Sequence, residues 1–233
     1  PDYVASGQTY PADVIGSVPV YHILTTSADF EQAVGYDGAD RIPSNNFDAR
    51  SEYNWNCTFV YEGEVFDHAQ YRLRQRNARY AGSGKRSLKF RFNRGNYPVF
   101  RDRNGDKYPE PWKYLATHKM VGSRSNSTWG MDQATNHLLW NLTGTPAPFT
   151  HWAHMRIVRG ADEAPNQYQG DYYGLLLALE EFDSRFLDSH NLEKGNLYKL
   201  ISYRTNGLDV QRYQAADAVS DGSDFSTIIN QLR

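Results

Sequence analysis

The sequence predicts an α+β protein with an antiparallel sheet in its first part and helices increasing toward its end. Tyr71, Leu73 and Gln75 alternate with Arg72, Arg74 and Arg76, and Leu88, Phe90 and Phe92 alternate with Lys89, Arg91 and Asn93. That period of two is the pattern of half-buried strands. Just upstream, Cys57–Tyr61 and Glu64–Phe66 are β-prone runs separated by Glu62-Gly63, a tight-turn pair, so the sheet grows antiparallel. From Met131 to Leu142, apolar residues at 131, 134, 138, 139 and 142 follow helical spacing, and Gly144 with Pro146 ends the helix.

At 233 residues the chain is long enough for one sizeable domain or two small lobes. Its 39% hydrophobic and 22% charged residues are ordinary for a globular protein, and its 17 tyrosines are many. No run has the length of a membrane span and no charged-then-apolar leader is present. The chain begins at Pro1 rather than Met, which reads as a processed product or an excised fragment. A single cysteine, Cys57, excludes an internal disulfide framework and any multi-cysteine zinc site. The sequons at Asn56, Asn126 and Asn141 matter only in a secretory protein.

Taken in order, residues 1–17 read as an arm or linker, and Val18–Leu24 as a short strand. A helix then starts after Thr26 or Ser27, with Asp29 and Glu31 in its first turn. Tyr36–Tyr53 has turn chemistry without period. Tyr71–Arg94 follows and holds nine cations, Arg72, Arg74, Arg76, Arg79, Lys85, Arg86, Lys89, Arg91 and Arg94, without one carboxylate, in a chain of net charge −2. Such an excess calls for an anionic partner. Between its two strands, Arg79-Tyr-Ala-Gly-Ser-Gly-Lys85 lets backbone amides approach phosphate oxygens, although its spacing is not that of a Walker loop. A surface hairpin with a solvated basic face is the other reading of the same residues.

After Arg94 comes a long polar segment to about Ser127. Its Arg101–Lys107 run lacks the EF-hand ligand order and reads as a plain turn. Phe149–Val158 is a strand on which the three-residue offset sends His151 and His154 to opposite faces, so both read as structural rather than metal-binding. Leu175–Leu179 has the length of a fully buried strand, and it runs into Glu180, Glu181 and Asp183. Those acids read either as the edge of a cleft or as the start of a short helix over Ser184–Leu187. Asn196–Ile201 is a further strand, and a last helix is entered from Ser223 or Asp224.

The order of YRLRQRNARY, GKRSLKFRFN, a helix ending in LTGTPAP, DYYGLLLALEEFD and GNLYKL resembles the CotH family, the spore-coat-type atypical protein kinases, over roughly Val18 to Leu232. The resemblance implies a kinase-like fold: an N-lobe and hinge over 18–183 and the beginning of a helical C-lobe over 184–233. It implies ATP-dependent phosphorylation of Ser or Thr in a protein substrate, with ATP and Mg2+ as cofactors. Arg74, Arg79, Lys85, Lys89, Glu180 and Glu181 are then the nucleotide-binding candidates. Lys85 is the first choice for gripping phosphate and Lys89 the second, while the backbone near Glu180 and Glu181 meets the adenine. The Met131 helix takes the place of the regulatory helix, with Asp132 as its only carboxylate. The family's catalytic and metal-binding aspartates lie well past the GNLYK anchor, so they are expected beyond Arg233, in an incomplete chain that assembles through an exposed inter-lobe surface. The alternative is an extracellular or surface structural protein that keeps the fold as a scaffold and takes an anionic partner on Arg72–Arg94. Specific nucleic-acid binding is disfavoured, because the aromatics of the basic strands alternate to the core face.

Overall fold

The computed structural model of the chain describes residues 18–34, 54–74, 85–119, 131–204 and 207–214, together with residues 227, 230 and 231. The arm at 1–17, the turn-rich stretch at 36–53, residues 75–84 with Arg76 and Arg79, and most of the last helix lie outside the described residues. Two units are present, one ending at Glu180 and the other beginning at Glu181.

The first unit is a closed barrel. Its strands are β1 (Val20–Leu24), β2 (Trp55–Tyr61), β3 (Glu64–Leu73), β4 (Leu88–Arg91), β5 (Tyr114–His118), β6 (Thr150–Val158) and β7 (Tyr172–Glu180). They run in the order β1-β2-β3-β4-β5-β7-β6, and β6 returns to β1. Every neighbouring pair is antiparallel except β1 and β6, which are parallel with Val20 opposite His154 and Leu24 opposite Val158.

This corrects the kinase-like, two-lobed α+β expectation. The described chain is mostly sheet, with three short helices, α1 (Ser27–Val34), α2 (Met131–Leu142) and α3 (Ser184–Ser189). Two features account for the difference. Strand β5 lies within a segment that reads as polar and aperiodic, yet it bridges β4 to β7. The β1–β6 ladder joins residues more than a hundred positions apart and removes the last sheet edge, which would otherwise template association. Among the described residues, helices do not increase toward the end either. The second unit contains α3 and a two-stranded antiparallel ladder, β8 (Leu197–Arg204) with β9 (Gly207–Gln214), of which β9 has no counterpart in the sequence reading. Asp183 caps α3, accepting from the backbone N–H groups of Arg185 at 2.8 Å and Phe186 at 3.3 Å.

Alternation decides what fills the barrel. Tyr21 and Ile23, Cys57, Phe59 and Tyr61, Tyr71 and Leu73, Leu88 and Phe90, Ala153, Met155 and Ile157, and Leu176 and Ala178 all point inward and are buried. The Glu62-Gly63 turn, with φ of 51° and 78°, is the left-handed pair that suits a two-residue hairpin, and it sets Tyr61 opposite Glu64. Thr26 starts α1 by accepting from the Asp29 N–H at 3.0 Å. Helix α2 lies against the outer wall, where Ala134 packs on Ala116, Leu177 and Leu179. Leu175–Leu179 therefore reads as a continuous apolar run because both faces of β7 are covered, one by the core and one by the helix side.

Phe59 is fully buried and stands within 5.1–6.4 Å, ring centroid to ring centroid, of Tyr21, Phe66, Phe90, Phe92 and Phe100. It is the hub of an aromatic core in which offset and edge contacts add to area burial. Phe59→Ala is expected to cost about 3–5 kcal/mol, read as a lower urea midpoint.

His151 also faces inward, where its Nε2 is hydrogen-bonded to the Tyr21 hydroxyl among the rings of Phe100, Tyr108 and Trp112. Burial pushes its pKa down to about 3. The unfolded chain, with an ordinary histidine near 6.5, then binds the extra proton first, so this histidine's stabilising contribution is complete above pH 6.5 and is lost as pH falls toward 3. Thermal melting across that range is expected to give a shallower acid limb for His151→Gln than for the parent; superimposable limbs would remove this assignment.

Candidate functional site

One end of the barrel gathers the end of β3, the start of β4, the end of β5 and the start of β7: Leu73 lies opposite Leu88, and His118 opposite Leu177. Backbone and hydroxyl contacts stitch these ends together. The Arg74 N–H donates to Ser87 O at 3.0 Å, and the Lys119 N–H to Ser87 Oγ at 3.0 Å. Thr117 Oγ1 accepts from the Leu88 N–H at 2.9 Å and donates to Leu88 O at 3.0 Å, and the Arg86 N–H donates to the Tyr173 hydroxyl at 2.5 Å. Helix α1 closes in from the side, its Phe30 ring edge-on to Tyr173 at 5.8 Å.

Lys85 lies across this rim. Its Nζ donates to Leu175 O at 2.6 Å, and its stem crosses Gly174 so closely that a Cβ there would stand 2.8 Å from Cδ and 3.1 Å from Nζ. Gly174 also holds φ at +135°, a conformation that L side chains rarely adopt. The φ value calls for glycine here, and any side chain at this position would also push the lysine stem aside. Burial, with the Lys119 charge nearby, lowers the Lys85 pKa to about 8.

The surrounding titratable groups are nearly all basic. His118 is held below its usual value by burial, then by Arg74, with Asp132 pulling the other way and Lys119 and Lys85 adding to the depression. Burial and Arg74 lower His137 on α2, and burial and Lys85 lower His154, whose Nδ1 is 3.0 Å from the Tyr172 hydroxyl. Asp132 is the one acid among the charges acting on His118. So much like charge in a half-buried place suits an anion with several oxygens.

The sequence candidates separate on this frame. Arg74 and Lys85 come together at the rim, Arg74 also reaching Thr117 O at 3.5 Å. Lys89 is on the outer wall of β4, with its Nζ 4.7 Å over the Tyr114 ring. Glu180 is at the far end of β7, about 17 Å along the strand from Leu175 at about 3.3 Å per residue. It is buried there, and its Oε2 accepts from the Phe149 N–H at 3.1 Å. Glu181 opens the second unit, and Arg79 lies outside the described residues. His118, Lys119 and Gly174 complete the rim although sequence reasoning did not single them out. A glycine inside the Tyr172–Glu180 strand was the available signal, because such a glycine marks close approach by another group.

The rim's donors are amines, guanidinium and imidazoles, a set that suits phosphate oxygens and not magnesium, which takes oxygen ligands. Among the described residues no three His, Cys, Asp or Glu side chains converge as a metal site, and no helix is long and apolar enough to cross a membrane. No protein-family model matches the chain, and no curated protein matches it.

The depressed Lys85 pKa has a sign that can be measured. Between pH 8 and 10.5 the unfolded chain carries a proton on this amine that the folded chain has shed, so the folded form gains stability as pH rises through that window. Lys85→Met is expected to melt higher than the parent at pH 7, with the gap narrowing by pH 10. A gap independent of pH would show that the amine is not desolvated.

Proposed function

We propose that this barrel grips the phosphates of a nucleotide, as the phosphate-holding part of a CotH-type protein kinase acting on Ser or Thr. The observation that carries the reading is the placement of Lys85, half-buried among cations and held to Leu175 O by one of its three N–H groups. Two N–H groups remain for phosphate oxygens. Arg74 and Lys119 supply further positive charge on the same side, where both act on His118. Phosphoryl transfer depends mainly on positioning and on neutralising charge at the transferring group, which is what such a rim provides. The motif order that resembles the CotH family puts Lys85 at the family's Lys-Lys/Arg-Ser anchor and supports the same assignment. The described residues bind and orient phosphate; no step is assigned to magnesium at this rim, because its donors do not suit the ion.

Calorimetric titration with ATP tests the reading. Lys85→Ala is expected to weaken binding about tenfold or more, the equivalent of losing about 1.4 kcal/mol of a charge-assisted contact. With the amine at about 8, parent affinity falls as pH rises from 7 to 9.5, while Lys85→Arg keeps its charge and gives a flatter profile. Affinity that ignores Lys85→Ala would sink the proposal.

A further inference from the structure

The rim accounts for the phosphates of a nucleotide and leaves its base without a place. Glu180, beside which the adenine is expected, is at the opposite end of β7, and Glu181 belongs to the second unit. A concave surface adjoins the rim instead. Lys85 donates to Leu175 O, Leu175 stands directly opposite His154 on β6, and His154 stands opposite Val20 on β1. Two strand spacings, about 10 Å, therefore lead from the lysine's anchor to Val20. Val20 and His22 alternate with the inward Tyr21, and His154 and Arg156 with the inward Met155, so these four share the outer face.

The loop between β6 and β7 folds back over that face, and Arg156 holds it there. This arginine is 2% exposed. Its Nε donates to Glu163 Oε1 at 2.5 Å, its Nη1 to Asn166 O at 2.8 Å and Gln167 O at 2.5 Å, and its Nη2 to Ala164 O at 2.6 Å, with Asp171 Oδ2 at 3.7 Å. A buried guanidinium spent on fixing one connection is more than a connection needs, whereas a binding loop must be held in one shape. Beneath the loop is a cavity of about 440 Å³, lined by Val20, His22 and Arg156 from the strands and by Glu163, Pro165 and Gln167 from the loop. That volume is usual for a small-molecule site. His154, the step between cavity and lysine, meets two rings of the same segment: Tyr168 at 5.4 Å and Tyr172 at 5.7 Å between centroids. Tyr168 and Tyr172 are inclined at 82°, which offers a face and an edge to a flat group.

Charge changes sign along this path. Lys85, Arg74 and Lys119 are at the rim, with Asp132 as the acid acting there. The loop over the cavity carries Glu163, Asp171 and the exposed Asp162, and its cation Arg159 lies over the Phe30 ring of α1. Asp171 is engaged by the Ala164 N–H and Arg156. Glu163 meets both Arg156 and His22 through Oε1, which leaves Oε2 as an acceptor at the cavity wall. A nucleotide has the matching polarity, with anionic phosphates at one end and, at the other, a neutral flat base whose N–H groups donate.

We propose that the cavity beneath the Arg156-anchored loop is a nucleoside site, in which the base enters beside Val20, Glu163 and Gln167 after passing the rings of His154, Tyr168 and Tyr172. The proposal rests on the reading of Lys85 as a phosphate-binding residue and adds to it where the nucleoside lies.

Calorimetric titrations of the full chain with ATP and with inorganic tripolyphosphate, which carries the phosphate charge without a nucleoside, provide the test. ATP is expected to bind about tenfold or more tightly than tripolyphosphate. Gln167→Ala/Tyr168→Ala is expected to remove that advantage and leave tripolyphosphate affinity unchanged, because Gln167 holds Arg156 through its backbone carbonyl alone. Lys85→Ala is expected to weaken both ligands. Should the double variant not fold, Tyr168→Leu keeps the bulk, removes the aromatic ring and takes its place with the same expected direction. Equal binding of ATP and tripolyphosphate, or a loop variant that weakens both alike or neither, overturns the nucleoside site while the phosphate rim stands. Binding of neither ligand overturns both readings.

Discussion

Closure of the sheet is the constraint on which the rest of the first unit depends. Once β6 pairs with β1 and β5 bridges β4 to β7, every strand has two neighbours and each residue is committed to the inside or the outside. The aromatic filling around Phe59 follows from that commitment, and so does the division between rim and outer wall. Residues at strand ends are driven to a rim, while outward-pointing residues in mid-strand form a wall. Arg74 and Arg72, two positions apart on one run of sequence, divide between these surfaces for this reason.

The rim concentrates charge where water is partly excluded, and this costs stability in the absence of an anion. Lys85 has a lowered pKa, and three histidines near it are held below their ordinary values, with burial the largest cause in each case. Proteins keep such strained electrostatics at working sites, where a bound ligand of opposite sign relieves them. Gly174 is the complementary backbone device. Without a side chain it lets Lys85 cross β7 and reach Leu175 O. The barrel's interior histidine, His151, has an even lower pKa but sits among aromatic rings away from the rim, and its role is structural.

Resemblance in motif order and observed architecture diverge here in a physically intelligible way. The segments quoted for the CotH resemblance include the end of β3, β4, α2, β7 and the start of β8, so they describe local elements and their succession. They are silent about which strands pair. A lobed sheet with free edges and a closed barrel can share that succession, and the choice rests on two ladders, β1 with β6 and β5 with β7.

By itself the sequence determined the elements whose signals are local. Alternation at Tyr71–Gln75 and Leu88–Asn93, the Glu62-Gly63 turn, the helical spacing from Met131 to Leu142 and the apolar run at Leu175–Leu179 each occupy a window in which neighbouring side chains report a period or a turn. Lys85 was singled out through the resemblance to the CotH family, as the lysine at its Lys-Lys/Arg-Ser anchor. Only the tertiary structure decided that β5 exists as a wall strand, that a parallel ladder closes the barrel, that Lys119, His118 and Gly174 join Lys85, and that Lys89 and Glu180 lie elsewhere. Those outcomes depend on contacts between residues far apart in the chain. Their free energy comes from burying shared surface and completing backbone hydrogen bonds, which no short window of sequence encodes.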